Sequence, residues 1–209
     1  MSSHRYNTIK EKISADPVSL AEAVDFLKKH SQTKFDETIE VHINLGIDPQ
    51  KSDQMVRGQV TLPHGTPKQK KIVILTEEII NKIIADKNLD ADIALATPAL
   101  MPKVAKVAKI LGPKGLMPNP KTGTVTADPD KTVKELSAGK ISFKMDQLGN
   151  IHEPIAKVSW STEKIIANAE ELIKAVKSSR PATSRGQFLK KIVLTSTMSP
   201  ALCLQTQAY

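Results

Sequence analysis

The sequence has few aromatic residues, a single cysteine and no long apolar run. Phe, Trp and Tyr make up 3% of its 209 residues, so any hydrophobic core must be aliphatic. The lone Cys203 excludes an intramolecular disulfide and favours a reducing compartment. No apolar run reaches membrane-spanning length, and the first residues lack the apolar core of a signal peptide. These features predict a soluble, cytoplasmic protein without a membrane partner.

Groups that would support catalysis are also missing. The five histidines are scattered without metal-ligand spacing, so no metal site is expected. Gly112-Pro-Lys-Gly115 matches neither the phosphate-loop nor the dinucleotide fingerprint. The sequence therefore predicts no catalytic residue and no cofactor. A nucleotide-using α/β enzyme is the less favoured alternative, because it would need a phosphate loop and an acid–base pair.

Positive charge is concentrated in the later parts of the chain. The net charge is +8, and the pI is about 9.5. Counted along the sequence, residues 1–67 carry a net −1, residues 68–139 a net +4 and residues 140–209 a net +5. An ordinary basic soluble protein is one interpretation. A polyanion such as RNA is the other, with phosphate contacts supplying much of the affinity.

The outer thirds have the pattern of helices packed on an antiparallel sheet. Residues 38–45 alternate apolar and polar side chains, as in a strand with one buried face. Ser19 with Glu22 predicts a capping box at the start of a helix, and Ser161 predicts a second helix start. Further strands are predicted at 59–62, 141–145, 155–160 and 188–195.

The middle third has a different pattern. Residues 71–75 and 92–96 are short, continuously apolar strands, each followed by a helical pattern. A third helix is expected after Asp128-Pro129. This alternation predicts a small parallel α/β layer. The predicted fold class is an α+β discontinuous domain, an antiparallel sheet with helices, carrying an inserted, shortened α/β three-layer domain. Its boundaries are 1–67 with 140–209, and 68–139, with hinges near residues 66–67 and 139–140.

Residues 110–126 predict an ordered loop. Three prolines and three glycines prevent regular structure, yet the segment is too apolar for a solvated linker. Long ordered loops often carry function. The sequence, ILGPKGLMPNPKTGTVT, closely resembles the signature of the large-subunit ribosomal protein family L-one, which builds the ribosome's mobile side stalk. Stretches that resemble the same family, in the same order, are 35–42, 45–49, 52–54, 56–58, 62–65 and 195–200.

The resemblance implies a structural constituent of the large ribosomal subunit, present there as a monomer. It implies binding to the ribosomal RNA of the side stalk, and help in moving and releasing deacylated transfer RNA from the exit site. In bacterial members, binding to the protein's own messenger RNA also represses translation, and this role is left open here. A free RNA-binding regulator, unattached to ribosomes, is an alternative that the sequence does not separate from the first.

The expected RNA-binding residues come from both ends of the chain. Lys34 would meet phosphate, Phe35 would pack on a ribose or base, and Glu37 would accept hydrogen bonds from ribose hydroxyls or base amines. The simpler alternatives are a solvated strand face, a polar strand end at 195–200, and a strand cap at His152. The full predicted set is Lys34, Phe35, Glu37, Thr38, His152, Lys157, Ser159, Thr195, Thr197 and Met198.

Several positions depart from the family pattern. This chain has Asn44 where a lysine is expected, and Ala156 and Ser199 where glycine is expected. The segment before the helix at 76–85 is shorter than in the family, so the inserted domain should be smaller. The signature loop either braces that domain or presents Lys114 and Lys121 to RNA, and its apolar content favours bracing.

Overall fold

The computed structural model describes residues 4–13, 16–31, 33–49, 54–67, 71–86, 91–120, 123–126, 128–184 and 186–205. The chain divides into two compact units, Met1–Pro67 with Ile141–Tyr209 and Lys68–Lys140. Its helices and strands, in chain order, are α1 His4–Glu11, α2 Leu20–His30, β1 Thr38–Leu45, β2 Arg57–Thr61, β3 Ile72–Ile74, α3 Glu77–Asp86, β4 Ile93–Leu95, α4 Met101–Val104, α5 Ala108–Leu111, α6 Pro129–Ser137, β5 Lys140–Lys144, β6 Asn150–Lys157, α7 Thr162–Ser178, β7 Leu189–Ser196 and β8 Leu202–Leu204.

The first unit is built on a four-stranded antiparallel sheet with the order β6-β1-β7-β8. The alternation predicted for 38–45 is present: Ile39, Val41 and Ile43 are fully buried, and the residues between them are half-buried. The apolar face packs against α2 and α7. The mixed helix and antiparallel sheet content that the sequence predicts is therefore confirmed, and the other face of the sheet keeps its polar side chains.

The buried side-chain amide of Asn168 in this unit is paired with the backbone around it. The amide of Asn168, on α7, donates to the carbonyls of Ile155 (2.8 Å) and Gly65 (3.2 Å) and accepts from the His64 N–H (3.1 Å).

In the separate β2–β5 pair, Gly58 lies against the Phe143 ring, where an added Cβ would come within 2.5 Å of the ring. The capping box predicted at Ser19 is formed with Glu22.

The second unit contains two short parallel strands, β3 and β4, with helices around an aliphatic core. Helix α3 packs against α4. Leu116 of the signature loop is buried, and the loop's Thr124 and Thr126 form backbone hydrogen bonds with Ala96 at the end of β4 (3.0 and 3.1 Å). Lys114 is exposed, and Lys121 lies outside the described residues. The three-layer arrangement remains a prediction.

Several element boundaries differ from the sequence prediction. Strand β6 begins at Asn150, five residues earlier than predicted, and ends at Lys157. The first half of β6 was missed because it contains Pro154, and proline has no N–H to donate within a sheet. A proline is tolerated here because β6 is an edge strand. The helix predicted after Thr97 is broken into 3-10 turns and the short helices α4 and α5, since Pro102 fits only a first helical turn.

Two elements, α1 and β8, were not predicted. Helix α1 carries a single buried apolar residue, Ile9, so it shows little helical periodicity. Strand β8 is three residues long, and its Cys203 is half-buried. None of the described helices combines the length and apolar composition of a membrane span.

Candidate nucleic-acid interface

Three segments far apart in sequence meet at one end of the four-stranded sheet. Residues 34–38 lead into β1, residues 157–159 follow β6, and residues 195–198 close β7. Pairing in the sheet sets Thr38 opposite Lys157 and Ile39 opposite Ser196. The Thr197 N–H donates to the Thr38 carbonyl (3.1 Å), and the Thr38 N–H donates to the Thr197 hydroxyl (3.0 Å). Both ends of the polypeptide thus contribute to one surface. It is called here the RNA-facing end, because the sequence analysis predicts RNA contacts for these residues.

Glu37 lies beneath this surface rather than on it. Its side chain is 2% exposed, and its carboxylate accepts hydrogen bonds from the Ser196 hydroxyl and from the Met198 N–H (3.4 Å). Burial raises its pKa, but hydrogen bonds, led by those from the Ser196 and Thr33 hydroxyls, outweigh burial and hold the pKa below 4.5. This buried carboxylate holds the 196–198 turn, and a contact between Glu37 and RNA stays a prediction.

Two large apolar side chains remain exposed next to Glu37. Phe35 is 54% exposed and Met198 is 49% exposed. Among the described residues, Leu148 is the one other large hydrophobic side chain with this degree of exposure, and it lies in the β5–β6 turn. Phe35 lies two residues before Glu37, and the Glu37 carboxylate accepts a hydrogen bond from the Met198 N–H. Phe35 and Met198 are therefore both exposed at the same end of the sheet. Exposed Phe and Met side chains offer planar and flexible contacts to a ligand.

Ser199 compensates for the glycine that the sequence pattern led us to expect. Its hydroxyl accepts a hydrogen bond from the Ser196 N–H (2.8 Å), and its own N–H donates to the Ser196 carbonyl (3.1 Å). These bonds close the turn that carries Met198. The departure from the family pattern therefore adds a side-chain bond to the turn.

Lys157 and Ser159 are held at the same end by Asp36, which the sequence analysis did not single out. Lys157 Nζ donates to the Thr38 hydroxyl (2.8 Å) and to the Asp36 carbonyl (3.2 Å). The Asp36 carboxylate accepts from the Ser159 hydroxyl (2.8 Å) and N–H (3.2 Å). Ser159 lies in a turn after β6, although a strand was predicted over 155–160. An acidic residue gives no signal for such a role in sequence.

Thr195 and His152 lie farther along the polar face and are joined through His42. The Nδ1 atoms of His42 and His152 are 2.8 Å apart, and His42 Nε2 lies 3.1 Å from the Thr195 hydroxyl. His152 Nε2 lies 3.5 Å from the Asp146 carboxylate. Burial, followed by the neighbouring His152, lowers the pKa of His42, and Glu40 opposes them. His42 lies within the predicted strand at 38–45 but was not among the predicted site residues.

The charges of the RNA-facing end nearly cancel. Lys34 is exposed and Lys157 is half-buried, whereas Asp36 and Glu37 bring two carboxylates to the same place. A surface with this balance does not attract RNA by charge alone. Its exposed apolar groups and hydroxyls fit the ribose and base surfaces of a folded RNA better than they fit a row of phosphates.

These features define a surface of exposed apolar side chains and hydroxyls on a mixed α and β fold. Residues 27–90 and 73–200 match the Ribosomal protein L1p/L10e family. The large ribosomal subunit protein uL1 of Persephonella marina is 46% identical over 207 residues, covering 89% of this chain and 86% of the relative. The uL1 protein of Solibacter usitatus is 40% identical over 223 residues, covering 98% and 94%.

The chain belongs to the Ribosomal protein L1p/L10e family. Three predictions are thereby confirmed: the resemblance itself, a structural role in the large ribosomal subunit, and the absence of an enzymatic activity. Membership also makes ribosomal RNA the partner class.

Proposed function

We propose that this protein binds the ribosomal RNA of the large-subunit side stalk through the RNA-facing end of its first unit. One observation carries the proposal: Phe35, two residues before Glu37, and Met198, whose N–H donates to the buried Glu37 carboxylate, are exposed apolar side chains from opposite ends of the chain. Leaving two such groups in water costs hydrophobic free energy, which a partner recovers on binding.

Each predicted residue has a distinct part in this proposal. Phe35 and Met198 pack on riboses or bases, Lys34 meets a phosphate, and the half-exposed hydroxyls of Thr38 and Thr195 bond 2′-hydroxyls. The remaining residues shape this surface from below or from its sides. They are Glu37, His152, Lys157, Ser159 and Thr197.

We assign residues 1–67 and 140–209 to the RNA-binding domain and residues 68–139 to an inserted, shortened α/β stalk domain. The length of the alignment with one relative supports this shortening of the inserted domain. The Solibacter usitatus alignment extends over 223 positions, whereas 98% of 209 residues is about 205, so about 18 positions are filled only in the relative. The two matched segments overlap at residues 73–90, the part of the chain where the sequence predicts the shortening.

Two finer roles complete the proposal. On the ribosome, the protein assists movement and release of deacylated transfer RNA at the exit site. Off the ribosome, the same surface binds a similar structure in the protein's own messenger and represses its translation. Both roles use one RNA-binding surface, so variants of that surface should weaken both together.

The test measures binding of purified large-subunit ribosomal RNA to Phe35→Ala and Met198→Ala. Each should weaken binding by about 1–3 kcal/mol while leaving thermal unfolding unchanged, because both side chains are exposed. Leu148→Ala is the matched control: it also removes an exposed apolar side chain, but from the other end of β6, and should bind normally. Unchanged binding in both Phe35 and Met198 variants would reject this surface.

The free-regulator alternative is tested by sedimentation. The protein should travel with large subunits at moderate salt and leave them only as salt is raised. A protein confined to ribosome-free fractions would instead favour the regulator.

A further inference from the structure

Four side chains form a continuous polar line across the exposed face of the sheet. Asp146 lies 3.5 Å from His152 Nε2, the two histidines face each other through Nδ1 at 2.8 Å, and His42 Nε2 lies 3.1 Å from the Thr195 hydroxyl. The line starts in the β5–β6 turn and crosses β6 and β1 to β7. It ends on a hydroxyl that the proposed function places against RNA, and the inference below rests on that function.

The positions of the protons in this line are determined by its two ends. Two nitrogens 2.8 Å apart share a single proton, so one imidazole donates and the other accepts. Asp146 is an acceptor only, which requires the proton of His152 to be on Nε2. His152 Nδ1 is then an acceptor, and His42 must donate to it from its own Nδ1.

The Thr195 hydroxyl completes the line. With its proton on Nδ1, His42 presents a lone pair on Nε2, and Thr195 can donate into it. The Glu40 carboxylate lies 3.8 Å from the same nitrogen, farther away than Thr195, and has no proton to donate to the Nε2 lone pair. The hydroxyl proton of Thr195 is therefore directed inward, and its own lone pairs are directed outward.

We propose that Asp146, His152 and His42 are positioning residues that make Thr195 a hydrogen-bond acceptor toward RNA. An outward lone pair accepts from a ribose 2′-hydroxyl or a base amine and repels a phosphate oxygen. The three residues would thus contribute to the choice of sugar and base edges over the phosphate backbone at this position.

Adding one proton to the histidine pair reverses the direction of the hydrogen bond between His42 and Thr195. His42 then donates from both nitrogens, Thr195 accepts from His42 Nε2, and its hydroxyl proton becomes free to reach a phosphate oxygen. The charged groups that face the pair are Glu40 on β1 and Asp146 in the β5–β6 turn. Burial of His42, followed by the neighbouring His152, lowers the pKa of His42 against the opposing effect of Glu40, so His42 is neutral at neutral pH.

Nitrogen NMR of histidine-labelled protein at about pH 8 tests the proton positions without any variant. Wild type should show His42 protonated on Nδ1, the less common tautomer, and His152 protonated on Nε2. In Asp146→Asn the amide can donate to His152, so both tautomers should switch. Asp25→Asn on α2, which packs against the opposite face of the sheet, is the matched control and should change neither ring. His42 protonated on Nε2 in wild type would overturn the inference.

A double-mutant cycle on binding to large-subunit ribosomal RNA tests the consequence. Asp146→Asn and Thr195→Val should each weaken binding by about two- to tenfold, and the double variant should bind no worse than Thr195→Val alone. If Thr195→Val weakens binding but Asp146→Asn does not, or if their effects add, the inference is rejected and the proposed function stands. If Thr195→Val has no effect, the Thr195 contact and the inference both fall, and Phe35→Ala with Met198→Ala still decides the RNA surface.

Discussion

The two units of this chain are built on very different amounts of core. Among the described residues, the first unit buries 28 hydrophobic side chains in one cluster, whereas the second buries 9. The first has strands of eight residues in its central sheet, and the second has strands of three. The large core supports a sheet face that is free to be polar. The small core depends on a proline-rich loop to cover it, so loop and core cannot vary independently.

The comparison is tested most strongly by deleting equivalent core side chains. Ile43→Ala, in the fully buried face of β1, should lower the free energy of unfolding by about 2–5 kcal/mol and abolish RNA binding at temperatures where the first unit unfolds. Leu111→Ala, equally buried in the second unit, should cost a similar amount there but leave RNA affinity within about twofold. Equal loss of RNA binding in both variants would show that the two units do not act separately. Chemical denaturation followed by RNA binding measures both.

A smaller effect is expected from the buried amide of Asn168. Asn168→Ala leaves the Ile155 and Gly65 carbonyls and the His64 N–H without their partner, which should cost about 2–4 kcal/mol. The loss should appear in unfolding of the first unit. A variant as stable as wild type would mean that water replaces the amide.

Glu37→Gln should reduce stability by about 1–2 kcal/mol at neutral pH, because the hydrogen bonds from Ser196 and Met198 lose a charged acceptor. The pKa of Glu37 is lower in the folded protein than its ordinary 4.5. Its contribution to stability is therefore complete above pH 4.5 and is lost as pH falls through the folded value. Below that value the variant and wild type should converge in denaturation at matched pH. A gap that persists in acid would contradict this assignment.

The smallest expected effect is the response of RNA affinity to salt. The RNA-facing end has nearly balanced charge, so the logarithm of affinity should fall only moderately with the logarithm of salt concentration, with a slope of about −2 to −4. Lys34→Gln should make this slope shallower by about 1, whereas Lys164→Gln, at the start of α7, should not change it. A steep slope in wild type would indicate that phosphate contacts dominate.

The sequence alone was sufficient for features carried by local pattern. The alternation at 38–45 and the capping box at Ser19 each correspond to an element of the structure. The start and end of β6 were missed because a proline interrupts its pattern, and β8 because three residues are too few for a period. The burial of Glu37 was not visible in the sequence, since a sequence does not show which way a residue points just before a strand begins.

What the sequence by itself determined is the set of side chains that alternate along β1, the capping box at the start of α2, and the family to which the chain belongs. These follow from spacing and residue type, which are properties of neighbours in the chain. Only the tertiary structure decided that Asp36, His42 and Asp146 take part in the candidate site. Their partners lie more than 100 residues away or across a turn, and strand pairing in the folded sheet is what brings them within hydrogen-bonding distance.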